Sequence, residues 1–153
     1  MTAVLAPVAG RVVALAEVPD AVFAGQLVGA GVAIEPGAPP AGDRLVDVAS
    51  PVDGTIVTLH PHAFAVVLAS GTGLLVHVGI DTVGLGGRGF ELAVAEGATV
   101  AAGEVVVRFD PAVVAEAGLS AVCPVVVLDS APDSVVQEAV GTVVERGTAL
   151  FDA

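Results

Sequence analysis

The sequence predicts an all-β domain, a sandwich or partly closed barrel with an internal repeat and one short helix. Three observations carry this reading. Short valine-rich runs recur between glycine-bearing turns along the whole chain. A ten-residue segment, Ala6-Pro7-Val8-Ala9-Gly10-Arg11-Val12-Val13-Ala14-Leu15, returns as Ser50-Pro51-Val52-Asp53-Gly54-Thr55-Ile56-Val57-Thr58-Leu59. Only one stretch carries helix punctuation at both ends.

In chain order, the first strand is Arg11 to Ala16, leaving the Pro7/Gly10 turn, and the second is Val32 to Glu35. The stretch Glu35 to Asp43 holds Pro36, Gly37, Pro39, Pro40 and Gly42 and reads as a loop within the domain. Thr55 to Leu59 and Ala63 to Leu68 follow, rich in Val, Ile and Phe. Ala69-Ser70-Gly71-Thr72-Gly73 is a hairpin turn by composition and leads into Leu74 to Val78. Phe90 to Ala93, Val105 to Phe109, Val125 to Leu128 and Thr142 to Val144 complete the strands. The helix has Asp110 as cap, Pro111 in its first turn, Ala112 to Ala117 as body and Gly118 as terminator.

At 153 residues the chain is one domain, 1–153, large enough to bury a core without disulfides or metal. Apolar residues make up 55%, yet no run approaches the roughly 18 to 20 needed to cross a bilayer, and no charged segment followed by an apolar one opens the chain. The expected location is the cytoplasm. The lone Cys123 lies in an apolar run and reads as a small buried residue. Five arginines, no lysines and seventeen acids give a formal net charge of −12, which disfavours nucleic acid and anionic membranes and favours basic partners.

The stretch that carries chemistry is Leu74-Leu75-Val76-His77-Val78-Gly79-Ile80-Asp81-Thr82-Val83, a single imidazole in an apolar strand followed by a glycine and an acid. His60 and His62 lie just upstream in Leu59-His60-Pro61-His62-Ala63-Phe64. If Leu68 lies opposite Gly73 across a four-residue loop, His62 falls opposite Gly79 and shares a sheet face with His77; a five-residue loop would put the two on opposite faces. A histidine held in this way can accept a covalent group, because a neutral imidazole is nucleophilic at one nitrogen once the other is fixed as a donor.

These residues resemble a known family. Ala49-Ser50-Pro51-Val52-Asp53-Gly54-Thr55, His62-Ala63-Phe64 and Val76-His77-Val78-Gly79-Ile80-Asp81-Thr82-Val83, with Gly89-Phe90 behind, are similar to the glucose-type enzyme IIA of the bacterial sugar phosphotransferase system. The likeness continues through Ala6 to Gly10, Val18 to Phe23, Glu96-Gly97, Gly103, Phe109-Asp110 and Pro124 to Val126. It implies a duplicated hybrid-motif fold and a phosphocarrier that takes a phosphoryl group from the phosphocarrier HPr and passes it to the cysteine of a IIB domain of a membrane sugar permease. Glucose, N-acetylglucosamine and β-glucosides are the sugar classes it leaves open.

Matched by position, the resemblance makes His77 the phosphoryl acceptor and His62 the donor to the transferring group. It makes Gly79 the residue whose carbonyl holds His77 Nδ1, leaving Nε2 to attack, and it places Asp81 at the edge of the site. The alternative for Asp81 is a turn residue with a local side-chain bond. An apolar docking rim is expected from Ala21, Val22, Phe23, Leu27, Leu75 and Val83, partly by matching the family. His60 stands where well-known members carry a threonine whose hydroxyl steadies one of the histidine rings; that role is here either taken by the imidazole or lost, and the residue otherwise reads as a surface histidine in a Pro-containing turn. No cofactor is required; a zinc ion at His62 and His77 is conceivable at a partner interface, completed by a borrowed carboxylate.

Competing readings differ in class. A regulatory protein whose phosphorylation gates binding to permeases or metabolic enzymes would use the same surface. A zinc hydrolase on a related fold would need a His-Asp-His set with motifs of its own. Glu96-Gly97-Ala98-Thr99-Val100-Ala101-Ala102-Gly103-Glu104-Val105 resembles a turn-and-strand unit of biotinyl and lipoyl carriers, but those attach their cofactor to a lysine and this chain has none.

Overall fold

The computed structural model describes residues Met1–Ala153. The strands run β1 (Ala3–Leu5), β2 (Gly10–Ala14), β3 (Gly29–Pro36), β4 (Val46–Ala49), β5 (Gly54–His60), β6 (Ala63–Val67), β7 (Gly73–His77), β8 (Phe90–Leu92), β9 (Thr99–Val100), β10 (Val105–Phe109), β11 (Cys123–Leu128), β12 (Val143–Val144) and β13 (Ala149–Asp152). Two helices interrupt them, α1 (Ala21–Ala24) and α2 (Pro111–Glu116). No helix is long and apolar enough to cross a membrane.

An eight-stranded sheet in the order β12-β2-β3-β11-β7-β6-β5-β9 is the main layer; β4-β10-β8 and β1-β13 form two smaller sheets. The sheets stay open, so of the two architectures expected the sandwich holds and the partly closed barrel does not. The edge strands β12 and β9 have two residues each, too short to template pairing with another chain. Beyond β9 the Glu96 carboxylate accepts the Leu59 N–H at 3.0 Å and occupies part of the open flank of β5.

The main core holds twenty-nine buried residues, among them Val12, Ile34, Val125, Val76 and Phe64 of the large sheet with Val48, Val107 and Phe109 of the three-stranded one. A second cluster of eight lies on the other face of the large sheet. Its members Val13, Ala33 and Val126 alternate with Val12, Ile34 and Val125, and Leu15, Val18 and Phe23 cover them. Burial on both faces explains why β11 reads as the unbroken run Cys123-Pro124-Val125-Val126-Val127.

The sequence repeat is realised in hydrogen bonds. Ala49 N donates to Pro7 O, and Leu5 N to Pro51 O, so the two copies clasp each other. Val12 exchanges bonds with Thr142 and Gly141 as Ile56 does with Ala98 and Gly97. Ala6 bonds Thr148 and Gly147 as Ser50 bonds Glu104 and Gly103. Each Pro-x-x-Gly turn is thus matched to its own glycine-turn hairpin, and the carrier-like motif at Glu96–Val105 is one half of this duplication.

Two expectations are corrected. There are two helices, because Asp20 caps a single four-residue turn through bonds from Val22 N at 2.8 Å and Phe23 N at 3.3 Å, too short a stretch to show a period. The first strand ends at Ala14 and Leu15–Glu17 turn into a 3-10 helix, which carries Leu15 onto the outer face of the sheet. The α2 helix is as expected, with Asp110 Oδ1 accepting from Ala112 N at 3.0 Å and Gly118 following at φ +75°.

Candidate functional site

The β6–β7 hairpin pairs Val67 with Gly73, Ala65 with Leu75 and Ala63 with His77, so five residues form its loop. This is the register that strand alternation says separates His62 from His77. The two rings nevertheless meet, with centroids 5.3 Å apart and planes at 67°. His62 lies outside the alternation: β5 ends at His60, β6 begins at Ala63, and Pro61-His62 form the two-residue turn between them. The backbone turns there, and the His62 ring swings to the face where His77 stands. Its carbonyl accepts the Val78 N–H at 2.7 Å, which ties the turn to the end of β7.

His77 is the last residue of β7. It shares a face with Leu75 and stands over the second cluster, half-buried, with the Phe23 ring edge-on at 5.2 Å. Its Nδ1 lies 2.5 Å from the Gly79 carbonyl oxygen. An oxygen there accepts, so Nδ1 carries the proton and Nε2 keeps its lone pair. Gly79 has φ +79°, and a Cβ on it would fall 2.6 Å from Thr82 Cγ2 and 2.9 Å from Ser120 O. The turn is further fixed by Thr82 Oγ1 donating to Val78 O at 2.7 Å and Ile80 N to Ser120 O at 2.9 Å.

Burial lowers the pKa of His77 below the ordinary 6.5, against the bond to Gly79 and the charges of Asp20 and Asp81, which raise it. That of His62 is lowered by burial first, then by His77 and His60. Both imidazoles are therefore predominantly neutral at pH 7, the form in which Nε2 of His77 is a nucleophile. Burial pushes the Cys123 thiol up to about 12, so it is inert.

Asp81 takes the left-handed conformation at φ +60° and precedes a 3-10 turn, Thr82–Leu85. Its exposed carboxylate makes no capping bond, so the local side-chain bond weighed as its alternative does not form. Of the rim residues, Ala21, Val22, Leu27 and Val83 are exposed, Leu27 at 74% and Val83 at 64%. Leu75 is half-buried, and Phe23, at 8% exposure, belongs to the core beneath His77 and not to the surface. His60 is exposed at the end of β5 with its ring stacked on that of His62, centroids 5.5 Å apart and planes at 18°. Sequence reasoning missed Asp20, whose charge acts on His77 across 57 positions of chain; its one legible signal was a helix-capping acid after Pro19.

No three His, Cys, Asp or Glu side chains are grouped to hold a metal. His62 and His77 offer two imidazoles, half of a zinc set, so further donors would have to come from a partner.

An open β-sandwich that presents an anchored, neutral imidazole beside a second one offers a nucleophilic nitrogen with a neighbouring imidazole. Residues 2–132 match the family model described as the phosphoenolpyruvate-dependent sugar phosphotransferase system, EIIA 1, and the chain belongs to that family of phosphotransferase components. It is 38% identical over 147 residues to the glucose-specific EIIA component of Bacillus cereus, covering 95% of this chain and 85% of that protein. It is 40% identical over 126 residues to the glucose-specific EIIBCA component of Corynebacterium glutamicum, covering 81% of this chain and 18% of that larger protein. The glucose permease IIA of Mycoplasma capricolum superposes with a TM-score of 0.84 at 34% identity, over 98% of this chain and 94% of that one.

Proposed function

We propose that the protein is a phosphocarrier that accepts a phosphoryl group from phospho-HPr on Nε2 of His77 and hands it to the cysteine thiolate of a IIB domain of a sugar permease. The observation that carries this reading is the Nδ1 bond to Gly79, which leaves the lone pair at Nε2, with the His62 ring centred 5.3 Å from that of His77. In the first transfer the P–N bond of the donor breaks as P–Nε2 forms, while the proton stays on Nδ1, donated to the Gly79 carbonyl. In the second the thiolate sulfur takes the phosphorus and Nε2 recovers its lone pair. His62 donates to the phosphoryl oxygens, offsetting part of the roughly −1.5 to −2 charge of a phosphate near pH 7.

The exposed carboxylate of Asp81 would meet a basic donor, and the exposed Ala21, Val22, Leu27 and Val83 would supply the apolar rim. Relatives that join EIIA to IIB and IIC in one chain support a IIB acceptor. They are named for glucose, glucosamine or mannose, and the sugar carried here belongs to that hexose range, chosen by the permease. The transfer takes place on the cytoplasmic side, and the same rim would serve a regulatory role gated by phosphorylation.

The test is mass spectrometry after incubation with phosphoenolpyruvate, enzyme I and HPr. The expected result is one acid-labile phosphate on His77, absent in His77→Gln. No phosphate, with the donor active on a known IIA, would overturn the carrier reading.

A further inference from the structure

His62 is the least secured part of the site. His77 has a backbone anchor at Nδ1, and Thr82, Ile80 and Val78 fix the turn that follows it. His62 sits in a two-residue turn with no side-chain hydrogen bond, and its ring neighbours are two other imidazoles, His77 with planes at 67° and His60 at 18°. Its ring must stay edge-on to His77 if it is to meet a phosphoryl group on Nε2, yet a turn side chain is free to rotate away into solvent. The near-parallel ring of His60 lies against that of His62, with centroids 5.5 Å apart. His60 can do so because it ends β5 and pairs with Ala63 across the Pro61-His62 turn, with Pro61 fixing one backbone angle between the two rings.

We propose that His60 is a positioning residue: its ring face, stacked on His62, holds that imidazole toward His77 for the onward phosphoryl transfer. This rests on the carrier reading above. The contribution is one of shape. Offset-stacked planar rings restrict each other without either being charged, and a displacement of about 1 Å in a group acting on a transition state costs up to about a hundredfold. An unbranched or small residue at position 60 would leave His62 in its turn but free to rotate.

Two variants separate the stack from the nitrogens. His60→Ala removes the ring; His60→Phe keeps a planar face and removes both nitrogens. In the unphosphorylated protein, NMR relaxation of the His62 ring should show increased mobility in His60→Ala and native order in His60→Phe. With the phosphorylated proteins and a IIB domain, His60→Ala should lower kcat about tenfold with KM unchanged, and His60→Phe should restore it to within about twofold.

Native ring order and native kcat in His60→Ala would overturn the proposal. So would a slow His60→Phe with an ordered His62, which would make the His60 nitrogens the working part. Loading of phosphate on His77 is measured first; its failure in the native protein would sink the carrier reading, and the ring-order comparison would still decide the role of His60.

Discussion

Gly79 shows how much of the site depends on one backbone conformation. Its carbonyl reaches His77 Nδ1 only because the chain turns at φ +79°, and a methyl group added there would fall 2.6 Å from Thr82 Cγ2. Gly79→Ala should destabilise the fold by about 1 to 3 kcal/mol in urea unfolding, the cost of strain at a disallowed dihedral plus a displaced neighbour. It should also release Nδ1, so His77 loses the bond that raises its pKa. Phosphoryl acceptance then falls further than stability accounts for, which a rate measured well below the unfolding temperature will show. The titration of His77 gives a second expectation. Its pKa lies below 6.5 in the folded chain, so the unfolded state binds more protons between the two values. The stability contribution of neutral His77 is complete above about pH 6.5 and is lost as pH falls through the lowered value. Acceptance should hold level from pH 8 through 6.5 and decline only below it; a decline beginning above 6.5 would mean that the nucleophile is not held neutral. At this scale the sequence was informative wherever the site is contiguous, as for His77, Gly79 and Asp81. It was silent on Asp20, whose relation to His77 exists only in space.

Among the elements, the short helix α1 has the largest effect for its length. Asp20 caps it, and Phe23 points inward into the small cluster on which His77 rests. Phe23 is one of only eight buried residues there, so Phe23→Ala should cost about 3 kcal/mol, at the lower end for a buried aromatic because the segment can settle into part of the space. The same variant removes burial from His77, and its pKa should move up toward 6.5 in an NMR titration; an unchanged value would mean that other residues supply its burial. The strands themselves were readable, since nine valine-rich runs fall on observed strands. Four short ones were not: β1, β4, β9 and β13 have two to four residues each, and pairing across the duplication, not pattern, fixes them. The hairpin register was the instructive failure. Alternation is a property of strands, and it said nothing about His62 because Pro61 and His62 are a turn.

Over the whole molecule, the ion pairs are distributed unevenly between the layers. Three of the five arginines are engaged in ion pairs, Arg44 with Asp110 and both Arg108 and Arg146 with Asp47, on the β4–β10 side of the sandwich. The site lies on the opposite face of the large sheet, where Asp20 and Asp81 act on His77 and form no ion pair with a basic side chain. A chain of net charge −12 that leaves Asp20 and Asp81 without a basic partner presents negative charge at the site. On the carrier proposal, a basic donor would be drawn to that face from beyond contact distance, and the apolar rim would take over once water is expelled. The two contributions separate by salt, because at 0.1 M screening reaches about 10 Å and at 1 M about 3 Å, while covering the exposed Val22 and Leu27 by a partner would be unaffected. Raising ionic strength from 0.05 to 0.5 M should therefore lower kcat/KM for phosphoryl transfer from HPr about tenfold or more, chiefly through the association rate. Leu27→Ser should raise KM by a similar factor at both salt concentrations and leave kcat in place. If salt has no effect on the native protein, the negative face is not the steering surface, and docking rests on the apolar rim alone.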